Sequence, residues 1–226
     1  MDVLVLNRPR TYIYRKGYRL TKRVFDLAVC LAALPLAIIA IAVIGIAILI
    51  DSGGPVFFVQ ERIGRGERRF KMYKFRTMRC DYDGRTSREF MKAFVTGQIN
   101  QDGCDHDQAI YKPNHNDQIT RVGRILRKTS LDELPQIFNV LRGEMSWVGP
   151  RPNVPWEVEV YRSWHNERLE VLPGITGLAQ VRGRSDISFD SIVRYDIEYI
   201  EKRSLKLDFQ ILWWTALAVV MGKGAG

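Results

Sequence analysis

The sequence predicts a mostly helical α+β protein associated with a membrane, and three observations predict it. Residues 27–50, "LAVCLAALPLAIIAIAVIGIAILI", hold no charge over 24 positions. At about 1.5 Å per residue, a helix of that length reaches across a hydrocarbon core of about 30 Å. Residues 54–79 place apolar runs on either side of a Gly-Arg-Gly turn, the pattern of a β-hairpin. Further on, apolar residues recur at helical spacing, and the last such segment carries the adjacent pair Trp213 and Trp214.

Composition bounds the rest. With 226 residues, 46% hydrophobic and 26% charged, the chain holds one sizeable soluble domain plus an accessory segment. A net charge of +9 asks for an anionic partner: nucleic acid, a phospholipid surface or a phosphorylated substrate. No nucleic-acid motif accompanies the basic residues, and an apolar membrane segment does, so nucleic acid is set aside. Cys30, Cys80 and Cys104 form no CxxC pair, which argues against a disulfide scaffold or zinc knuckle and fits a reducing compartment.

The first element is a basic segment, residues 1–23, with seven Lys or Arg against Asp2 alone. The membrane segment follows at 24–50. Residues 60–79 beyond it hold eight Lys or Arg against Glu61 and Glu67. Basic flanks prefer the cytoplasmic face, and here both flanks do. Pro35 removes a backbone hydrogen bond about a third of the way along. Charge and proline leave two readings open, a helix that bends and returns to the face it entered, or a single span.

The remainder, residues 51–226, begins with the hairpin: a strand at 56–59, the turn at 64–66, and a strand around 70–75. Lys74 and Arg76 at its end suit a solvated face, lipid headgroups or phosphate. Residues 80–118 turn polar and more acidic and read as an insertion or mobile loop. Their Asp81-Tyr82-Asp83 is an Asp-x-Asp of the kind that holds a divalent metal in many nucleotide-sugar glycosyltransferases.

Next, a basic approach containing Arg127 runs into "TSLDELPQIFNVL", residues 129–141. Ser130 and Glu133 have capping-box spacing, and Asp132 sits in the first turn, where the helix dipole favours an acid. From spacing alone a structural cap explains every residue, with Leu134, Ile137, Phe138 and Leu141 as the buried face. The surroundings add a second reading. "RGEMSWVGPRP" brings Arg142 and Arg151, and "PGITGLAQVRGR", read as turn, strand and turn, brings Arg182 and Arg184. Carboxylates among arginines suit phosphoryl transfer, in which an Asp attacks phosphorus and Mg²⁺ and arginines neutralise the moving charge. The C-terminal stretch reads as two helices. The second, at 207–221, is too short to span and is suited to the membrane interface.

Five of these stretches in this order, "GPVFFVQERIG", "YKFRTM", "TSLDELPQIFNVLRGEMSWVGPRP", "PGITGLAQVRGR" and "YDIEYI", resemble the bacterial sugar transferases, or monotopic phosphoglycosyl transferases. The resemblance runs from Lys22 to the C-terminus, apart from 80–118. It implies a catalytic domain on the cytoplasmic face of the bacterial inner membrane, held by a re-entrant helix hairpin bent at Pro35 and by interfacial helices. It implies transfer of a sugar 1-phosphate from a UDP-sugar to undecaprenyl phosphate, with UMP released and exopolysaccharide assembly begun. Asp132 would be the nucleophile and Glu133 its partner, the two holding Mg²⁺. Lys74, Arg76, Arg127, Arg151 and Arg184 would meet phosphates, and Asp196 falls on an acidic substrate-side position. Where family members often have Ser before the hairpin proline, this chain has Leu34. The sugar and the oligomeric state stay open, although exposed apolar helix surface could support a homodimer.

Overall fold

The computed structural model describes residues 16–79, 85–98, 118–183 and 187–221. Its first element, α1 (Lys16–Ser52), is one continuous helix with Pro35 inside it. The expected pair of helices around Pro35 is therefore not seen as a break in the chain. Pro35 is exposed, while Leu34 and Ala37 beside it pack inward. By length and composition α1 is apolar enough to cross a membrane.

Residues three or four apart share one face of a helix, and Lys22, Asp26, Cys30, Ala37, Gly45 and Ile48 make such a buried stripe on α1. The opposite face exposes Leu31, Leu36, Ile39, Val43, Ile46 and Ile50. Both ends of α1 are tied to the rest of the protein. Near its start, the Arg23 guanidinium donates to the carbonyls of Val140 (2.6 Å) and Leu141 (2.8 Å). Near its end, Arg76 donates to the carbonyls of Ser52 (3.0 Å), Gly53 and Gly54 (2.6 Å), which the helix terminus leaves unpaired. The Asp51 carboxylate accepts from the backbone N–H of Val122 (2.9 Å) in the first turn of α3 (Arg121–Thr129).

The hairpin forms as expected: β1 (Phe57–Ile63) pairs antiparallel with β2 (Arg69–Phe75), and Gly66 takes the left-handed conformation at the turn. Within the stretch read as an insertion or mobile loop, the described part forms a helix, α2 (Arg85–Thr96). Phe90, Ala93, Phe94 and Val95 of α2 are buried with Phe189 and Val193 of α7 (Phe189–Lys202). Those apolar residues are what the polar composition around them masked. Residues 80–84, with Asp81 and Asp83, and residues 99–117 lie outside the described residues.

After α3, a 3₁₀ segment (Leu131–Gln136) leads into α4 (Ile137–Arg142). Ile137, Val140 and Met145 pack with Phe70 and Met72 of β2 and with Cys30 and Ala37 of α1. Two short parallel strands, β3 (Ser146–Val148) and β4 (Gly174–Thr176), come next, joined through α5 (Pro155–Val158) and a 3₁₀ segment (Ser163–Glu170). They approach so closely at Gly149 and Gly174 that a Cβ on Gly174 would stand 2.1 Å from the Gly149 nitrogen. The turn expected after β4 is a short helix, α6 (Leu178–Arg182). The expected C-terminal helices are α7 and α8 (Leu205–Val220). Ile211 of α8 is fully buried, whereas Phe209, Trp213 and Leu217, four residues apart, line its exposed face. Phe209 meets Phe25 of α1 edge-on at 4.9 Å between ring centroids.

Candidate active site

The two acids of residues 129–141 do not cap a helix. Ser130 ends α3 in the left-handed conformation (φ 57°), and its side chain makes no capping hydrogen bond to the 3₁₀ segment that follows. The expected capping box is therefore absent. The Glu133 side chain turns instead to cations: Oε1 lies 2.7 Å from Lys74 Nζ and 3.2 Å from an Arg151 NH group. Asp132 lies beside the same lysine at 3.9 Å, too far for a direct hydrogen bond.

Three supports set this geometry. Asn139 of α4, fully buried, donates to the Lys71 carbonyl (2.7 Å) and accepts from the Tyr73 N–H (3.2 Å), which fixes β2 and Lys74 against the acids. The turn carrying Arg151 is pinned by backbone bonds from Gly149 to Thr176 (2.9 Å) and from Gly174 to Pro150 (2.9 Å). Arg62 of β1 and Arg168 hold the carbonyls of Pro152 (2.9 Å) and Arg151 (3.2 Å). A narrow cleft lined by Arg62, Met72, Glu133, Gln136, Arg151, Pro152, Gly174 and Ile175 lies there, too tight in this conformation to admit a water molecule.

The electrostatics separate the two carboxyls. Burial pushes Glu133 up, but Arg151 and Lys74 outweigh it and hold the group at about 2, ionised at any working pH. Burial raises Asp132 as well; Lys74 pulls it down, Glu133 pushes it up, and it ends above its ordinary value. Burial lowers Lys74, and Arg151 adds to this. Burial, with Arg151 beside it, brings Arg62 down to about 10. One carboxylate is thus committed to cations. The other is 16% exposed, and among the described residues no cation stands within hydrogen-bond range of it.

Of the residues expected here, Asp132, Glu133, Lys74 and Arg151 come together. Arg127 stands close enough for its charge to act on Asp132, while its Nε donates to Thr77 (3.0 Å). Arg76 points elsewhere: its two terminal nitrogens donate to Ser52 and Gly54 at the end of α1. Asp196 is buried away from solvent in a 2.6 Å ion pair with Arg168, which in turn donates to the Arg151 carbonyl. Arg184 lies outside the described residues.

Sequence reasoning missed Arg62, Asn139 and Arg168. Arg62 is hidden in a basic run, whereas an Asn inside an apolar helical stretch, where it competes for backbone hydrogen bonds, was a readable sign. Among the described residues no group of three or more His, Cys, Asp or Glu could hold a metal ion. Two adjacent carboxylates, of which Asp132 stands 3.9 Å from the nearest paired cation, are donors of the type Mg²⁺ takes.

The sequence profile described as "Bacterial sugar transferase" matches residues 17–222. The exopolysaccharide production protein ExoY of Rhizobium meliloti is 39% identical over 206 residues, covering 91% of this chain and 88% of ExoY. The undecaprenyl-phosphate galactose phosphotransferase of Salmonella typhimurium is 37% identical over 223 residues, 98% of this chain and 45% of that protein. The UDP-glucose:undecaprenyl-phosphate glucose-1-phosphate transferase of Xanthomonas campestris is 41% identical over 191 residues, 80% of this chain and 35% of that protein. The chain thus spans nearly all of the first and half or less of the other two.

Proposed function

This chain belongs to the bacterial sugar transferase family, and on that premise we propose that it transfers a sugar 1-phosphate from a UDP-sugar to undecaprenyl phosphate. The carrying observation is the division of labour in the acid pair: Glu133 is ion-paired to Lys74 and Arg151, and Asp132 is left with an oxygen to use. An Asp132 oxygen attacks the sugar-bearing phosphorus, the bond from that phosphorus to the bridging oxygen breaks, and UMP leaves with that oxygen. An oxygen of undecaprenyl phosphate then attacks the same phosphorus and the bond to Asp132 breaks. Undecaprenyl diphosphate sugar forms and the carboxylate returns. Lys74, Arg151 and Arg127 bear the charge of the phosphates in both steps, and Glu133 keeps the two nearest cations in place. Asp132 and Glu133 would hold Mg²⁺ with the donor's diphosphate; when bound, it supplies further charge neutralisation.

The relatives' names, one for galactose and one for glucose, support a hexose 1-phosphate as cargo and leave the hexose open. The proposed setting is the cytoplasmic face of the inner membrane, with α1 entering and leaving by that face. Supporting this, Arg23 and Ser52, at opposite ends of an apolar helix, are both fastened to the body that carries Lys74 and Asp132. A transverse span would carry one of these polar junctions to the other side of the bilayer.

The test is nucleotide release: purified protein, undecaprenyl phosphate, Mg²⁺ and a panel of UDP-sugars, with products separated as UMP or UDP. UMP that vanishes in Asp132→Asn is the expected result. UDP would transfer the chemistry to a glycosyltransferase and make Asp81 and Asp83 the residues to examine.

A further inference from the structure

We propose that Phe58, at the exposed end of β1, receives the isoprenoid chain of the lipid phosphate acceptor as its phosphate enters the site. This rests on the reading of Asp132 as the residue from which the sugar phosphate leaves. Register places the ring: Phe58 pairs directly with Lys74, so the two side chains share one face of the hairpin, with Cβ atoms about 5 Å apart. Toward the turn, the next pairs on that face are Gln60 with Met72 and Arg62 with Phe70. Met72 and Arg62 line the cleft beside Glu133 and Arg151. One face therefore runs from a cationic cleft, past Lys74, to a phenylalanine that is 48% exposed. Leu131, adjacent in sequence to Asp132, is also exposed, at 41%.

This is the arrangement an amphiphile needs, with cations for the phosphate and apolar surface for the first isoprene units. The start of the hairpin rests on α1: Val56, one residue before β1, packs on the cluster of Ile48, Phe75 and Leu126 and lies over Gly45. Ile46, Leu49 and Ile50 on that end of α1 are exposed. The neighbouring Phe57 has a different task, since its ring stacks on Phe75 at 5.6 Å. Bilayer phospholipid is the less suitable occupant, because nothing in its role brings it opposite Lys74.

The experiment separates the two half-reactions in detergent micelles, using Phe58→Ala and Phe58→Leu. With UDP-sugar and no acceptor, the UMP-forming step reports both folding and the donor site. With undecaprenyl phosphate, Phe58→Ala is expected to raise the acceptor KM by roughly tenfold, the scale of a lost apolar contact. Phe58→Leu should stay near wild type, and the difference should disappear with a short isoprenyl phosphate. An unchanged KM for undecaprenyl phosphate in Phe58→Ala would overturn the proposal. So would a variant whose only defect is weaker flotation with phospholipid vesicles, which would make the ring a membrane anchor. Wild-type protein that forms no UMP would instead refute the underlying reading of Asp132.

Discussion

Replacing Lys74 by methionine tests the electrostatic separation of the two acids. The ammonium stands 3.9 Å from an Asp132 oxygen, and at an effective dielectric of about 20 a pair at that distance interacts by about 4 kcal/mol. That is a ceiling on how far the ammonium favours the ionised over the neutral carboxyl, and because neither group is sealed from water the solvent reduces it. The sign is fixed: Lys74 pulls the Asp132 carboxyl down against burial and Glu133, so its loss lets the carboxyl rise. The acid limb of the pH–rate profile for UMP formation without acceptor should move to higher pH in Lys74→Met. In Lys74→Arg it should return toward wild type. An acid limb that stays in place, or moves down, would refute the assignment of that limb to Asp132 and of Lys74 to its control.

Three further predictions concern the surroundings. Glu133 is held at about 2 by its two cations, below its ordinary value of 4.5, so its contribution to stability is present above about pH 4.5 and is lost as pH falls toward 2. The gap between wild type and Glu133→Gln in urea midpoint should accordingly narrow as pH is lowered from 6 to 3.5, and a constant gap would contradict the pairing. Removing Asp196 leaves the Arg168 charge buried without its partner, at a cost of about 3–5 kcal/mol. Asp196→Ala should therefore unfold at markedly lower temperature, whereas an unchanged unfolding temperature with a raised donor KM would put Asp196 at the substrate. For topology, Asp2→Cys and Glu67→Cys, each in a background lacking Cys80 and Cys104, should react with an impermeant thiol reagent from the same side of intact inner-membrane vesicles. Labelling from opposite sides would restore a simple span.

What the sequence made legible was local. The β1–β2 hairpin followed from alternation and a glycine turn, and α7 and α8 from apolar spacing. The acid pair stood out because its neighbours in sequence were basic. What it concealed depends on partners distant in the chain. Nothing near Ser130 announces that it ends α3 in a left-handed conformation, yet that turn takes Glu133 out of any capping role and toward Lys74, 59 residues earlier. Arg76 looks like a phosphate ligand because it is one more arginine in a basic run. Its actual partners are backbone carbonyls at the end of α1, which have no sequence signature. Asp196 was identified as an acid worth naming, but its place in the interior depends on Arg168, whose burial no periodicity reveals.

The central claim, that Asp132 carries the sugar phosphate between donor and acceptor, is tested most directly by trapping the adduct. Protein would be mixed with UDP-sugar and Mg²⁺ without acceptor, quenched in acid, and its peptides mapped by mass. The account predicts a hexose phosphate on the peptide containing Asp132, absent in Asp132→Asn and discharged when undecaprenyl phosphate is added before the quench. Full turnover to UMP with no adduct at any time, or an adduct on another residue, would contradict it.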